Sequence, residues 1–166
     1  MSLRSSLSLF LALQLGFLCG NAASTAELHG EVVGLVDGDT VTVLDATKTQ
    51  YRIRLTGIDA PEKHQSFGAR SRNSLSDMVF RKTVKVEFQK KDRYGRIVGK
   101  VIIGSLDASL EQVRRGMAWH YKAFEQEQSQ SDRLLYTQAE EDARKAHRGL
   151  WRERDPIAPW DFRRMR

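Results

Sequence analysis

What most limits the folds open to this chain is the order in which two hydrophobic periods follow one another. Val32 to Val36 is an apolar run, and beyond Asp37-Gly38-Asp39 the residues Val41 and Val43 alternate with Thr40 and Thr42. Alternation at period 2 marks a strand with one buried face. Tyr51 to Ile58 alternates again, with Ile53 and Leu55 set against Arg52 and Arg54. Ala60-Pro61 ends that strand, because proline cannot donate to a ladder. The period then changes: Phe67, Leu75, Met78 and Val79 fall on one side of a helix running to about Arg81. Val84, Val86 and Phe88 return to period 2, Lys90 to Gly95 is a charged turn, and Ile97 to Ile103 is the next strand.

Leu106, Leu110, Val113 and Met117 are then spaced as an amphipathic helix, with Asp107 as its N-cap and Gly116 as its terminator. A short strand around Trp119 to Tyr121 and a last helix from about Ser131 to Ala146, stopping near Gly149, complete the pattern. Glu125 to Ser131, rich in Gln and Ser, reads as one exposed loop. Five strands with a helix after the third follow the order of the partly open Greek-key barrel of OB-folds. The expected class is therefore α+β: a five-stranded OB-fold-like barrel with three helices. A chain of 166 residues suits one such domain, over 27–166.

The first residues have a different character. Arg4 opens a stretch in which Leu7 to Cys19 is apolar apart from Ser8 and Gln14, and small residues follow from Gly20 to Ala26. A basic start, an apolar middle and a small-residue end make a secretory signal peptide, with cleavage after Ala22, Ala23 or Ala26. The 13 apolar-region residues fall short of a membrane span, which needs roughly 20. The expectation is an exported protein, periplasmic or secreted, with no stable membrane association. Cys19 is the sole cysteine and would leave with the signal, so a mature domain has no disulfide, thiolate nucleophile or thiolate metal site. The net charge is +6, and since residues 1–26 hold Arg4 and no acid, the mature domain would keep +5. That balance favours a polyanionic partner without distinguishing nucleic acid from an anionic envelope polymer.

Asp37, Asp39, Asp59 and Glu62 fall in two tight groups at the ends of neighbouring strands. Carboxylates brought together repel unless a cation lies among them, and hard oxygen ligands suit Ca²⁺ or Mg²⁺. With only His29, His64, His120 and His147, all scattered, a zinc site has little support. Taken singly, each feature has a plainer account. Asp-Gly-Asp is a good turn, and Glu62 could complement a helix dipole. Arg54 and Arg96 could be exposed partners of nearby acids. Together they suit phosphoryl transfer, where guanidinium groups meet the charge that builds on phosphate oxygens.

Val36-Asp37-Gly38-Asp39-Thr40, then Arg52-Ile53-Arg54-Leu55 through Ile58-Asp59-Ala60-Pro61-Glu62, then Asp92-Arg93-Tyr94-Gly95-Arg96, resemble the signature segments of the staphylococcal nuclease family. The endings Gly149-Leu150-Trp151 and Pro159-Trp160-Asp161-Phe162-Arg163-Arg164 resemble its bacterial members. The likeness runs over residues 28 to 164, with the segments in the family's order. It implies a Ca²⁺-dependent endonuclease acting on DNA and RNA with little sequence preference, leaving 3′-phosphate and 5′-hydroxyl ends. Asp39, Asp59 and the carbonyl of Ala60 would hold the ion, with Asp37 and Thr40 supporting them from behind. Glu62 would orient or deprotonate the attacking water, and Arg54 and Arg96 would clamp the phosphate. Tyr94 would hydrogen-bond a substrate phosphate, and Tyr121, with Trp119 beside it, would contact the nucleotide. One departure stands out: only Lys63 to Ser66 separate Glu62 from Phe67, so the long lysine-rich loop of the best-known member is missing.

His120-Tyr121-Lys122 has the His-x-Lys form of phospholipase D-type nucleases, but Glu127 stands in the region of the required Asp and no second copy exists. Two other readings belong to different classes: a barrel that binds nucleic acid or protein without cutting, and a basic envelope-associated binding protein. The first requires a broken acid and arginine set, which is intact here; the second rests on charge and the leader alone. No association surface is evident in the sequence, so a monomer is expected.

Overall fold

A computed structural model describes residues 25–165; the expected leader peptide lies outside the described residues. Strand β1 (Ala26–Leu35) is followed by β2 (Thr40–Leu44), β3 (Gln50–Leu55) and the short β4 (Ile58–Asp59). Helix α1 (Gly68–Val79) leads to β5 (Thr83–Lys91), β6 (Ile97–Ile103) and β7 (Leu106–Asp107). Helix α2 (Ala108–Arg114), strand β8 (Trp119–His120), helix α3 (Gln130–Lys145) and helix α4 (Pro159–Arg164) complete the order.

The sheet runs β3-β2-β1-β5-β6-β7, and β3 also pairs with β6, so five strands close on themselves as a barrel. Every pairing around it is antiparallel except the closing one, where Ile53 faces Ile97 and Arg54 faces Val98 in parallel. Closure buries the inward residues of each alternating strand. Val32, Val41, Val43, Ile53, Val84, Val86, Ile97 and Val101 are all within a few per cent of fully buried. Helices α1 and α2 cap the barrel with Leu75, Val79, Leu110 and Val113. The outward residues, Arg52 and Arg54 among them, are thereby left to face solvent or one another.

The expected elements stand where the periods placed them, with five local differences. Tyr51 to Ile58 is two strands, because Gly57 turns the chain at φ 75°. Helix α1 ends at Val79, two residues before the expected end. Asp107 does cap α2, its carboxylate accepting from the amides of Ser109 and Leu110, and Gly116 follows at φ 65°. Leu106 and Met117 nevertheless lie outside that helix. The stretch Glu125 to Ser131 is not wholly an exposed loop. It begins in a 3-10 turn, and Gln128 is buried with its Oε1 2.9 Å from His120 Nε2. A fourth helix, α4, is added to the three expected; Pro159 starts it with a preset φ.

Candidate active site

The turn between β1 and β2 sets the first acid. Val36 N donates to Thr40 O at 2.9 Å, and Asp39 N donates to Asp37 Oδ1 at 3.1 Å, so Asp37 is spent on shaping the turn. Gly38 lies against α1, where an added Cβ would come within 1.8 Å of Ser71 Oγ. The buried Gln112 of α2 donates from Nε2 to Gly38 O at 2.8 Å and to Ser71 O at 3.0 Å. Turn, α1 and α2 are tied together by that one amide. Asp39 is consequently buried at the barrel rim rather than left on a loop tip.

Register brings the second set to the same place. Thr40 pairs with Arg54 across β2 and β3, and Leu55 N donates to Asp39 O at 2.8 Å. Inward Ile53 and Leu55 force Arg54 to the outer face. There its Nη1 lies 3.2 Å from Asp39 Oδ1 and its Nη2 3.1 Å from Asp59 Oδ1, with a further bond of 3.3 Å to Ile58 O. Strand β4 holds Asp59 in position by pairing it with Trp119 of β8. The two carboxylates are 4% and 1% exposed, with one guanidinium bridging them. Ala60 N donates to Asp39 Oδ2 at 2.9 Å, and Thr40 Oγ1 to Asp39 Oδ1 at 2.9 Å.

Burial dominates the electrostatics of Asp39. It pushes the carboxyl up to about 6, against the opposing pull of Arg54 and with a small addition from Asp37. Arg54 loses some basicity to burial, but Asp39 and Asp59 outweigh that and hold it firmly charged.

Glu62 lies at the solvent edge of this pair, 35% exposed. Its amide donates to Gln65 Oε1 at 3.0 Å, and Gly68 allows the close approach of this loop, since a Cβ there would meet Glu62 O at 2.1 Å. Arg163 of α4 reaches the same place. Its Nη2 is 2.7 Å from Asp59 Oδ2, and its Nη1 is 3.3 Å from Asp59 Oδ1 and 2.7 Å from Glu62 Oε1. The hydrogen bonds to Asp59 and then Glu62 raise the basicity of Arg163 well above its ordinary value.

Of the expected site residues, Asp39, Thr40, Arg54, Asp59, Ala60 and Glu62 converge, and Asp37 supports them through the turn. Arg96 immediately precedes β6, its Nε held by Asp92 Oδ2 at 2.7 Å and its guanidinium 5.5 Å from the exposed Tyr94 ring. This pair is bonded within its own turn through Asp92, and the strand it leads into lies beside β3 through the pairing of Ile97 with Ile53. Tyr121 is not an open stacking surface, because Trp160 stacks on it at 5.2 Å and 18°. An open cavity of about 420 Å³ lies beside them, lined by Trp119, Tyr121, Lys122, Arg144 and Trp160 among others. His120 is buried between Gln128 and Thr137, a packing role that leaves the His-x-Lys motif without chemistry.

Among the described residues no three side chains of Asp, Glu, His or Cys gather closely enough to hold a metal by themselves. Asp39 and Asp59 are the buried carboxylates of the group, and Glu62 stands at their edge, joined to Asp59 through Arg163. Those two, with main chain at residue 60, still suit a hard cation. All are oxygen donors, and the burial penalty on Asp39 is one that a divalent ion would offset. Arg163 and Trp160 are the residues that sequence reasoning left without a role. Their only signal is the Pro-Trp-Asp-Phe-Arg-Arg ending, whose place in the fold no local pattern discloses.

The sequence profile of the family described as Staphylococcal nuclease homologue matches residues 52–153. The chain is 39% identical over 157 residues to an uncharacterized endonuclease of Haemophilus influenzae, covering 95% of this chain and 85% of that protein. It is 42% identical over 139 residues to an uncharacterized endonuclease of Escherichia coli, covering 83% and 86%. A micrococcal nuclease of Shigella flexneri is 38% identical over 150 residues, covering 84% and 82%. With that span of likeness, and with the barrel and its acid and arginine group in place, the chain belongs to the staphylococcal nuclease family.

Proposed function

We propose that this protein is a Ca²⁺-dependent endonuclease that hydrolyses DNA and RNA with little sequence preference. The observation that carries the reading is the buried pair Asp39 and Asp59, bridged by Arg54 and edged by Glu62. Relatives named as endonucleases and as a micrococcal nuclease support the reaction class. Asp39, Asp59 and the main chain at Ala60 would hold the ion, which when bound supplies positive charge to a phosphate oxygen.

The chain's own residues do the rest. Arg54, fixed by two carboxylates and a carbonyl, is preorganised to meet charge on the phosphate without rearranging. Arg96, aligned by Asp92 and beside Tyr94, supplies a second guanidinium from the turn before β6. Glu62, partly exposed, is placed to orient a water and take its proton. Water oxygen bonds to phosphorus as the bond to the 5′-oxygen breaks, and the departing oxygen takes a proton from solvent, leaving a 3′-phosphate and a 5′-hydroxyl. The cavity lined by Trp119, Tyr121 and Trp160 offers aromatic contact that tolerates any base, with Tyr121 contributing an edge because Trp160 stacks on its face. Residues 1–26 direct export on this reading, and the domain acts as a monomer outside the cytoplasm.

The test is digestion of DNA and RNA with Ca²⁺, with Mg²⁺ and with chelator, followed by end-group analysis. Cleavage in Ca²⁺ that stops on chelation is expected. Intact polynucleotides in millimolar Ca²⁺, or equal rates after chelation, overturn the reading in favour of a barrel that only binds.

A further inference from the structure

Residues 153 to 163 are strapped across the carboxylate group at several points. Gln65 Nε2 donates to Ile157 O at 2.6 Å, and Ser66 Oγ donates to Glu153. Ala158 and Pro159 are buried. In the short helix that follows, Trp160 and Arg163 are three residues apart and therefore share a face. Trp160 packs on Tyr121 at 5.2 Å and edge-on to Trp119 at 5.6 Å. Arg163 grips Asp59 and Glu62. Trp119 is the strand partner of Asp59, so both anchors of α4 land on the same β4–β8 ladder.

The position of Arg163 is informative. Both oxygens of Asp59 are engaged: Oδ1 by Arg54 and Arg163, Oδ2 by Arg163 at 2.7 Å. A Ca²⁺ ion bound to a carboxylate oxygen sits about 2.3–2.6 Å from it. The ion and the Arg163 nitrogen on Asp59 Oδ2 would thus contend for one place. With neither an ion nor Arg163, Asp59 at 1% exposure would have only Arg54 to offset its charge, shared with Asp39. Arg163 provides the second counter-charge from a helix that stays anchored through Trp160.

We propose that Arg163 is a positioning residue and the site's resident cation. It holds Asp59 and Glu62 in place before the divalent ion arrives, and the ion must displace it from Asp59 to bind. This rests on the reading of Asp39 and Asp59 as the divalent-cation site. Arg163 accordingly weakens cation affinity while stabilising the ion-free protein, a combination that a purely structural arginine would not produce. Loss of a merely structural contact would loosen the site and weaken the ion's hold.

The experiment is calorimetric titration of the full, processed protein with Ca²⁺ alone, for wild type, Arg163→Ala, Arg163→Lys and Arg164→Ala. Arg163→Ala is expected to bind Ca²⁺ on the order of tenfold more tightly, the effect of removing one competing charge-assisted contact. Arg164→Ala, one residue on, should match wild type, and Arg163→Lys should fall closer to wild type than alanine does. Thermal unfolding in chelator should drop for Arg163→Ala, with the gap narrowing in saturating Ca²⁺. Should Arg163→Ala unfold outright, Arg163→Gln keeps the side-chain length while removing the charge and decides the same comparison. Wild type binding Ca²⁺ with the uncharged variant binding equally or more weakly overturns the proposal alone. No Ca²⁺ binding by either protein overturns the cation reading of the site, and this inference with it.

Discussion

Asp39 is the residue on which the electrostatics of this site turn. Its carboxyl ordinarily titrates at 3.8 and is pushed up to about 6 by burial. Between those values the folded, ion-free protein keeps a proton that the unfolded chain has released. The resulting stability is complete below about 3.8 and is lost as pH rises through about 6. Urea unfolding in chelator should therefore show stability falling across that window, and Asp39→Asn should flatten the slope. An unchanged slope in Asp39→Asn would refute the assignment. Arg54 is the complementary test. It bridges Asp39 and Asp59, so Arg54→Ala should cost roughly 10²–10³ in cleavage rate. That loss should exceed anything attributable to folding, as circular dichroism and thermal unfolding of the same sample would show.

At the scale of elements, what local pattern discloses and what it hides separate cleanly. Ile53 and Leu55 against Arg52 and Arg54 state both the strand and the face on which Arg54 stands. Asp107 and Gly116 likewise announce the ends of α2 by their own chemistry. Gln112 does not announce itself. Within a helix read from Leu110 and Val113 it looks like a solvent-side polar residue, yet it is fully buried. The reason is that its partners, Gly38 O and Ser71 O, come from segments 74 and 41 residues away. Arg163 is opaque for the same reason, its partners Glu62 and Asp59 lying 101 and 104 residues away. Gln112→Leu should leave two buried carbonyls without their donor and cost about 1–3 kcal/mol in urea unfolding. Since the same amide pins the turn that carries Asp39, Ca²⁺ affinity should fall with it. A variant that loses stability but keeps wild-type affinity would show the turn to be held by Gly38 packing instead.

The whole molecule adds what no single element has: barrel closure gathers Asp39, Arg54 and Asp59 onto one rim, on a chain with a surplus of positive charge. The net charge of +6 matters for a polyanion only if it is concentrated. One such concentration is an open cavity of about 610 Å³ lined by Arg70, Arg115, Arg148 and Arg152 against the single acid Asp77, with Phe67 in its wall. Phe67 packs on the cluster of Leu150 and Trp151, to which Trp119 also belongs, and Trp119 is the strand partner of Asp59. One aromatic cluster thus links the wall of the basic cavity to the strand that pairs with Asp59, which makes the cavity a candidate for phosphate contacts. Neutralised phosphates release counterions, so the logarithm of affinity falls linearly with the logarithm of salt, by about 0.9 per contact on duplex DNA. Binding measured in chelator, where the proposed chemistry is silent, should follow that line for wild type. Arg70→Ala with Arg152→Ala should make it shallower by about two contacts. Identical slopes for the two proteins would move the polyanion to another face and leave these arginines to solubility alone.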